Sequence, residues 1–342
     1  MSDPVIDVHI HIGAKDDRAS GCYWSKEFES GIAFFAFRLV TSSLFRRMDL
    51  GYIAKHLLKV INGSQCVDKC VLLAMDQVYD EGGRVYDQYG AGMRTHLHVP
   101  NAYLAAFASQ NPRVLFGASV HPYRRDWEDE LHRSLGNKAV LCKWIPSSHQ
   151  IDLASPRCLP FYKKLAASRL PLLCHVGPEA AIPPFDKPSQ ELNSPRLLRP
   201  ALDAGVTVIA AHAALPLFRP PLESDKAYQE LARLFLEAAS KKWELYADLS
   251  AINLGPRGSY VDELKSVIPP ERLLFGSDYP IPMLDISQEP GLSLGHWLKH
   301  FFQTIFIKNP LDKNYQLIKN MDFDGRVFTN AARLFARIRR KG

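Results

Sequence analysis

The sequence predicts an α/β fold in which eight parallel strands close into a (β/α)8 TIM barrel ringed by helices. Three observations carry that prediction. Eight short apolar or β-branched runs are spread along the chain, with longer helical patterns between them. Most of these runs are almost continuously apolar, as strands covered on both faces are. No Gly-x-Gly-x-x-Gly follows the first run, which counts against the alternative, a doubly wound open sheet with a dinucleotide site there.

The first strand is expected at 5–11, Val5-Ile6-Asp7-Val8-His9-Ile10-His11, ending in a glycine loop at Gly13. Alternation along a strand puts Asp7, His9 and His11 on one face and Ile6, Val8 and Ile10 on the other. Two imidazoles on one face can hold one metal ion. With 12 histidines in 342 residues, a His-x-His is a weak signal by itself. His96-Leu97-His98 is a second instance, at a helix entrance, and is not expected to be a ligand set.

The second strand is expected at 67–75 (VDKCVLLAM), followed by a helix at 101–111. Strands at 114–120 (VLFGASV) and 139–145 (AVLCKWI) alternate with helices at 125–136 and 156–168. Lys143 interrupts the fourth strand. The fifth, 171–176, ends in His175, and the sixth, 206–212, ends in His212, with a helix at 195–204 between them. Helix 224–241, strand 244–250, helix 259–268 and strand 272–278 follow, the last ending in Asp278, and helix 327–340 closes the chain.

Three connections exceed what a barrel needs, at about 14–66, 76–100 and 279–326, within a single domain spanning 1–342. Each follows a strand and therefore falls on the C-terminal face, where barrel active sites are built. They carry Phe34-Phe35-Ala36-Phe37, Leu44-Phe45-Arg46-Arg47, Trp297, Phe301, Phe302 and Phe306. These aromatics either cap the mouth, pack the extra helices together, or make a homodimer contact.

Composition bounds the function classes. The chain is 46% hydrophobic and 23% charged, ordinary for a globular enzyme-sized protein. Its net charge of +6 is scattered apart from Arg337, Arg339, Arg340 and Lys341, a solvated helix end rather than a nucleic-acid patch. Nothing reaches the length of a membrane span. Cys142 and Cys174 lie inside apolar strands, where free cysteine acts as a small hydrophobe, and no secretory segment is apparent; a reducing, cytoplasmic setting is expected. The expected partner is a small molecule, not nucleic acid or membrane.

Polar residues at the same end of one barrel are the functional signal. A metal site needs imidazole and carboxylate clustered on rigid elements, with a position left open. His9, His11, Lys143, His175, His212 and Asp278 meet that requirement together, although each alone is more often a hydrogen-bonded core residue.

The run Asp7-Val8-His9-Ile10-His11, the strand-end His175 and His212, the closing Phe275-Gly276-Ser277-Asp278-Tyr279-Pro280 and the terminal Asn330-Ala331-Ala332-Arg333-Leu334-Phe335 resemble the amidohydrolase superfamily. They are most similar to its amidohydrolase-related branch, which holds hydrolases, lactonases and non-oxidative decarboxylases. The resemblance covers the barrel from first strand to last helix; 14–66 and 281–322 match nothing specific. It implies that His9, His11 and Asp278 hold a divalent metal, Zn²⁺ with Mn²⁺ as the alternative, with His175 as a further ligand of a one-metal site. His212 would act as base or electrophile, and Asp278 would move the proton of the attacking water. Asp7 is expected to be a structural partner. Lys143 either forms the carbamate that bridges two metals in some members or remains an ammonium that pairs with Asp or a substrate carboxylate, the second being preferred. Trp144 and Pro146-Ser147-Ser148 are expected to shape a substrate loop.

The resulting reading is a metal-dependent hydrolase of an amide, ester or lactone bond in a small, partly apolar substrate. The alternative is a metal-dependent decarboxylase of an aromatic or unsaturated acid. Arg46, Arg47, Arg84 and Arg94 are candidate contacts for an acid group, none with a motif behind it.

Overall fold

The computed structural model describes residues 3–15, 17–31, 34–35, 38, 49–85, 95–183, 188–217, 224–281, 304 and 306–339. Eight parallel strands run in chain order around one sheet: β1 (Ile6–His11), β2 (Lys69–Leu73), β3 (Val114–Ala118), β4 (Leu141–Trp144), β5 (Leu172–His175), β6 (Val208–Ala211), β7 (Leu245–Asp248) and β8 (Leu273–Leu274). The backbone beyond β8 returns to β1, where Val8 N donates to Phe275 O (3.0 Å), Asp278 N to His9 O (2.8 Å) and His11 N to Tyr279 O (2.8 Å). These bonds close the sheet into a barrel.

Side chains alternate between two apolar layers. Val71, Leu73, Leu141, Leu173, Ile209, Tyr246 and Leu274 fill the interior, while Leu72, Phe116, Cys142, Trp144, Cys174 and Ala210 pack outward under the helices. Cys142 and Cys174 are fully buried there as thiols. Between the strands lie α1 (Leu50–Gly63), α2 (Asn101–Ser109), α3 (Trp127–Gly136), α4 (Leu159–Ser168), α5 (Arg199–Asp203), α6 (Lys226–Lys241) and α7 (Val261–Val267), and α8 (Pro310–Asn320) follows β8. A last helix, α9 (Asn330–Phe335), sends Ala331, Leu334 and Phe335 into the interior layer.

Strict alternation fails in β1. Asp7 pairs with Cys70 but Ile10 with Leu72, so three steps on β1 match two on β2, a β-bulge. The Asp7 carboxylate closes the bulge by accepting His9 N at 3.1 Å. Ile6 and Val8 therefore fill the interior and Ile10 packs outward, while His9 and His11 turn into the mouth. The expected sharing of one face by Asp7, His9 and His11 is thus corrected. Asp7 sits apart from the two histidines, takes a second bond from Ser277 N (3.0 Å), and burial pushes its pKa up to about 7.

The long connections supply α1 and α8, neither of which the sequence reading placed. Asp49 caps α1 by accepting Tyr52 N at 2.8 Å, and Asn309 caps α8 by accepting Leu311 N at 2.9 Å. The Asp312 carboxylate of α8 then accepts Gln65 N and Cys66 N just after α1, at 3.0 and 2.9 Å, joining the two insertions. Of the expected aromatics, Phe34 packs against Trp24 and Phe28, whereas Phe35 and Phe306 are exposed. Phe37, Leu44, Phe45, Arg46, Arg47, Arg94, Trp297, Phe301, Phe302, Arg340 and Lys341 lie outside the described residues. Among the described residues no helix is long and apolar enough to cross a membrane.

Candidate active site

The C-terminal ends of the strands open into a cavity of about 140 Å³, floored by His9, His11, Lys143, His175, His212 and Asp278. All six residues singled out from the sequence therefore line one cavity. Its walls come from the connections: Trp24 and Phe28 from the first, Leu97 from the second, Ile182 and Leu217 from the loops after β5 and β6, and Pro280 and Ile281 after β8.

Two groups of potential metal donors occur among the described residues: His9, His11 and Asp278, and His9, His212 and Asp248. In the first, His9 Nε2 lies 3.2 Å from His11 Nε2 and 3.5 Å from Asp278 Oδ1, and His11 Nε2 lies 3.2 Å from the same oxygen. Donors about 2.1 Å from a tetrahedral ion sit ~3.4 Å from one another, so this trio has the spacing of a face of such a site. His9 Nδ1 is 2.9 Å from Asp248 Oδ2, both side chains fully buried. That carboxylate fixes the proton on Nδ1 and leaves the Nε2 lone pair aimed into the trio, the arrangement that orients metal-binding histidines. The donor set fits a divalent ion, and Asp248 reads as the support of His9 rather than as a donor.

Charge reinforces the geometry. Burial lowers the His9 pKa to about 4, with Lys143 adding to the effect against the pull of Asp248 and Asp278. Burial alone would raise the Asp278 carboxyl, but the imidazoles of His212, His9 and His11 outweigh it and hold the group well below the carboxylate range. Neutral imidazole and ionised carboxylate are the forms that ligate a cation.

His212 lies just past β6 on a left-handed turn, with φ of 55°, 49° and 54° at His212, Ala213 and Ala214. Continued as a strand, it would point outward with Ala210; the turn brings it inward, stacked on His9 with ring centroids 4.9 Å apart. Asp248 Oδ1 pins the turn by accepting His212 N at 2.9 Å, and it also accepts the Ser250 hydroxyl. Ser250 Oγ lies 2.8 Å from His212 Nδ1, leaving Nε2 to face Asp278 Oδ2 at 3.9 Å. Non-glycine residues in this backbone region are strained and concentrate at functional sites. Asp278 itself has φ of 61°.

His175 is placed differently from the other histidines. Its Nδ1 faces Glu179 Oε2 at 3.2 Å and its Nε2 faces Pro178 O at 3.3 Å, and it belongs to neither donor group. Its ring meets that of His212 at 5.1 Å between centroids. Lys143, 1% exposed, puts Nζ 3.2 Å from His9 Nε2; burial lowers its pKa, against the pull of Asp248 and Asp278.

Trp144 does not shape a substrate loop: it packs outward on Phe161 and donates Nε1–H to Val120 O at 2.8 Å, and Ile145 lines the cavity instead. His96 and His98 bond Ser25 Oγ and Met75 O at 2.8 Å each and lie outside both donor groups. Arg84 points into solvent, paired with Asp80 at 3.0 Å. The sequence reading missed Asp248, Ser250, Glu179 and Arg257. Asp248 carried the same signal as Lys143, a charged residue inside an apolar strand; Glu179 and Arg257, on loops, carried none.

Gly276, just past β8, lies against the backs of Ser250 and His9. A Cβ there would stand 3.1 Å from Ser250 Cβ and 3.2 Å from His9 Cβ. Gly276→Ala is expected to cost about 1–3 kcal/mol through overpacking. A denaturant midpoint equal to that of the parent would refute that reading of the contact.

A family model described as "Amidohydrolase" matches residues 75–311. No curated protein matches the sequence significantly. Among solved structures, an uncharacterized TIM-barrel protein from Bordetella bronchiseptica is 14% identical, with a TM-score of 0.53 over 93% of this chain and 99% of that one. A protein described as probable 2-pyrone-4,6-dicarboxylic acid hydrolase from Acinetobacter baumannii is 14% identical, with a TM-score of 0.54 over 97% and 99%. An IDCase from Metarhizium anisopliae is 12% identical, with a TM-score of 0.54 over 98% and 97%. At these identities the likeness to the solved structures is one of fold.

Proposed function

This chain belongs to the amidohydrolase family, and we propose that it is a metal-dependent hydrolase cleaving an amide, ester or lactone bond in a small, partly apolar substrate. The convergence of His9, His11 and Asp278 on one point at the cavity floor, 3.2–3.5 Å apart, carries the proposal. These three would hold one divalent ion, Zn²⁺ or alternatively Mn²⁺, with His175 beside them on the same floor. When bound, such an ion supplies a Lewis acid that activates water and polarises a carbonyl.

The chain's own groups do the rest. Asp278 offers two differently placed oxygens: Oδ1 faces the histidine pair, while Oδ2, 3.9 Å from His212 Nε2, is free to take the proton of the attacking water and return it to the leaving group. His212, oriented through Nδ1 by Ser250, presents the Nε2 lone pair beside Asp278 Oδ2, where it can share as a base the proton that this carboxylate takes. Lys143 adds a donor at the same floor. Trp24, Phe28 and Leu97 hold the apolar body and exclude bulk water.

The rival reaction, non-oxidative decarboxylation of an aromatic or unsaturated acid, uses the same donors but keeps no water oxygen. Turnover of a panel of lactones, amides and aromatic acids in ¹⁸O-labelled water separates the two. The hydrolase incorporates label without releasing CO₂; CO₂ release without label in the product would replace it with the decarboxylase.

A further inference from the structure

We propose that Tyr279 and His56 are positioning residues for the donor trio: the hydrogen bond between the Tyr279 hydroxyl and His56 on α1 anchors the left-handed turn that presents Asp278. The inference rests on the proposed role of His9, His11 and Asp278 as ion donors, and it brings residues from outside the cavity into the working of that site.

Asp278 has φ of 61°, a conformation that a non-glycine residue keeps where its surroundings over-determine it. On the barrel side the turn is held through its backbone, by Asp278 N on His9 O and His11 N on Tyr279 O, both at 2.8 Å. The opposite side is held by a side chain. Tyr279 is 2% exposed and is not among the residues lining the cavity; its ring belongs to the outer apolar layer, which Ile53, Leu57 and Ile61 of α1 also join. Its hydroxyl lies 2.9 Å from His56 Nε2. The residue after Asp278 is thus gripped from outside the barrel while Asp278 projects into the mouth.

The anchor point is itself fixed. Asp49 caps the start of α1, Asn309 Nδ2 donates to Val60 O at 2.8 Å near its end, and Asp312 holds Gln65 N and Cys66 N just beyond. Tyr52, one turn before His56, stacks on its ring with centroids 6.4 Å apart. An insertion that supplies no donor to the trio therefore sets where one of them stands. Asp278 Oδ1 must stay 3.2 Å from His11 Nε2 and 3.5 Å from His9 Nε2 for the three to converge, so a turn that relaxes opens the trio. Losing an outer support of a metal ligand weakens ion affinity by about 10–100-fold. This support acts through one residue of backbone, which places it at the lower end.

Titration of the full chain with Co²⁺, after dialysis against chelator, tests this through ion affinity and the visible Co²⁺ absorption, both independent of turnover. Tyr279→Phe keeps the ring and removes the hydroxyl, and should weaken Co²⁺ binding about 10-fold. His56→Leu should do the same, and the double variant should bind no more weakly than either, since both changes cut one bond. His56→Gln, whose amide still meets the hydroxyl, should stay within about 3-fold of the parent. Unchanged Co²⁺ affinity and absorption in Tyr279→Phe overturns the proposal and leaves the trio standing; a fall in denaturation midpoint alone would mean that the anchor serves the fold. Additive losses in the double variant overturn it as well. Should His56→Leu not fold, Tyr279→Phe and His56→Gln decide. A parent that takes up no Co²⁺ removes the trio as an ion site and the positioning role with it, whereas CO₂ release without ¹⁸O incorporation, with the Co²⁺ results as expected, would remove the hydrolase alone.

Discussion

Replacing His9 or Asp278 by alanine is expected to lower kcat/KM by roughly three orders of magnitude or more, about 4 kcal/mol of transition-state stabilisation. The two side chains meet 3.5 Å apart at the cavity floor, so either change removes one of the trio's donors. Ion content should fall with activity: elemental analysis of the parent, purified without chelator, should give one divalent ion per chain, and each variant far less. His9→Ala also leaves Asp248 without its imidazole in a fully buried place, so its denaturation midpoint should drop. Asp278→Ala removes a group whose backbone N still bonds His9 O, so the barrel closure survives. A metal-free parent with full activity, or variants that keep their turnover, would remove the ion from the reaction.

Lys143→Met is expected to lower kcat by about 10²–10³-fold, the usual worth of one preorganised donor to a developing oxyanion. Methionine fills a similar volume in the fully buried β4 position without the amine, so the fold should tolerate it. Ion content should remain at one per chain, because Nζ stands beside His9 Nε2 rather than completing the trio. Two ions per chain in the parent, uptake that rises with bicarbonate, and loss of an ion in Lys143→Met would instead establish the bridging carbamate.

Much of this architecture is readable in the sequence because fully covered strands leave near-continuous apolar runs, and a polar residue inside one is conspicuous. Lys143, His175, His212 and Asp278 stand out on that ground, and all reach the cavity. Strand ends were overestimated, as at 272–278 against a ladder of Leu273–Leu274, because the segment beyond leaves the sheet to bond β1. The β1 bulge is not legible: no glycine marks it, and the Asp7 carboxylate that accepts His9 N is also bonded by Ser277 N from the far end of the barrel. His212 reaches the cavity through a left-handed turn that no residue in His212-Ala213-Ala214 advertises, held by Asp248 from another strand. Nothing in the sequence singles out Arg257, because an arginine in a Gly-Pro-Arg-Gly loop ordinarily reads as solvated surface. Its burial depends on loops that only the closed barrel brings together.

The bonds that close the barrel join groups 270 positions apart, as between Asp7 and Ser277. At synthesis rates of roughly 5–20 residues per second, the open edge of β1 waits about a quarter of a minute to a minute for its second neighbour. During that wait His9 and His11 have no Asp278, and the interior lacks the apolar side chains of α9. The first of the barrel's strands to be synthesised is thus among the last to be enclosed on both sides, and an unpaired strand edge is a template for wrong partners. Long-range closure of this kind makes folding slow. The same seam that brings Asp278 to His9 and His11 is therefore where a nascent chain stands longest exposed to aggregation.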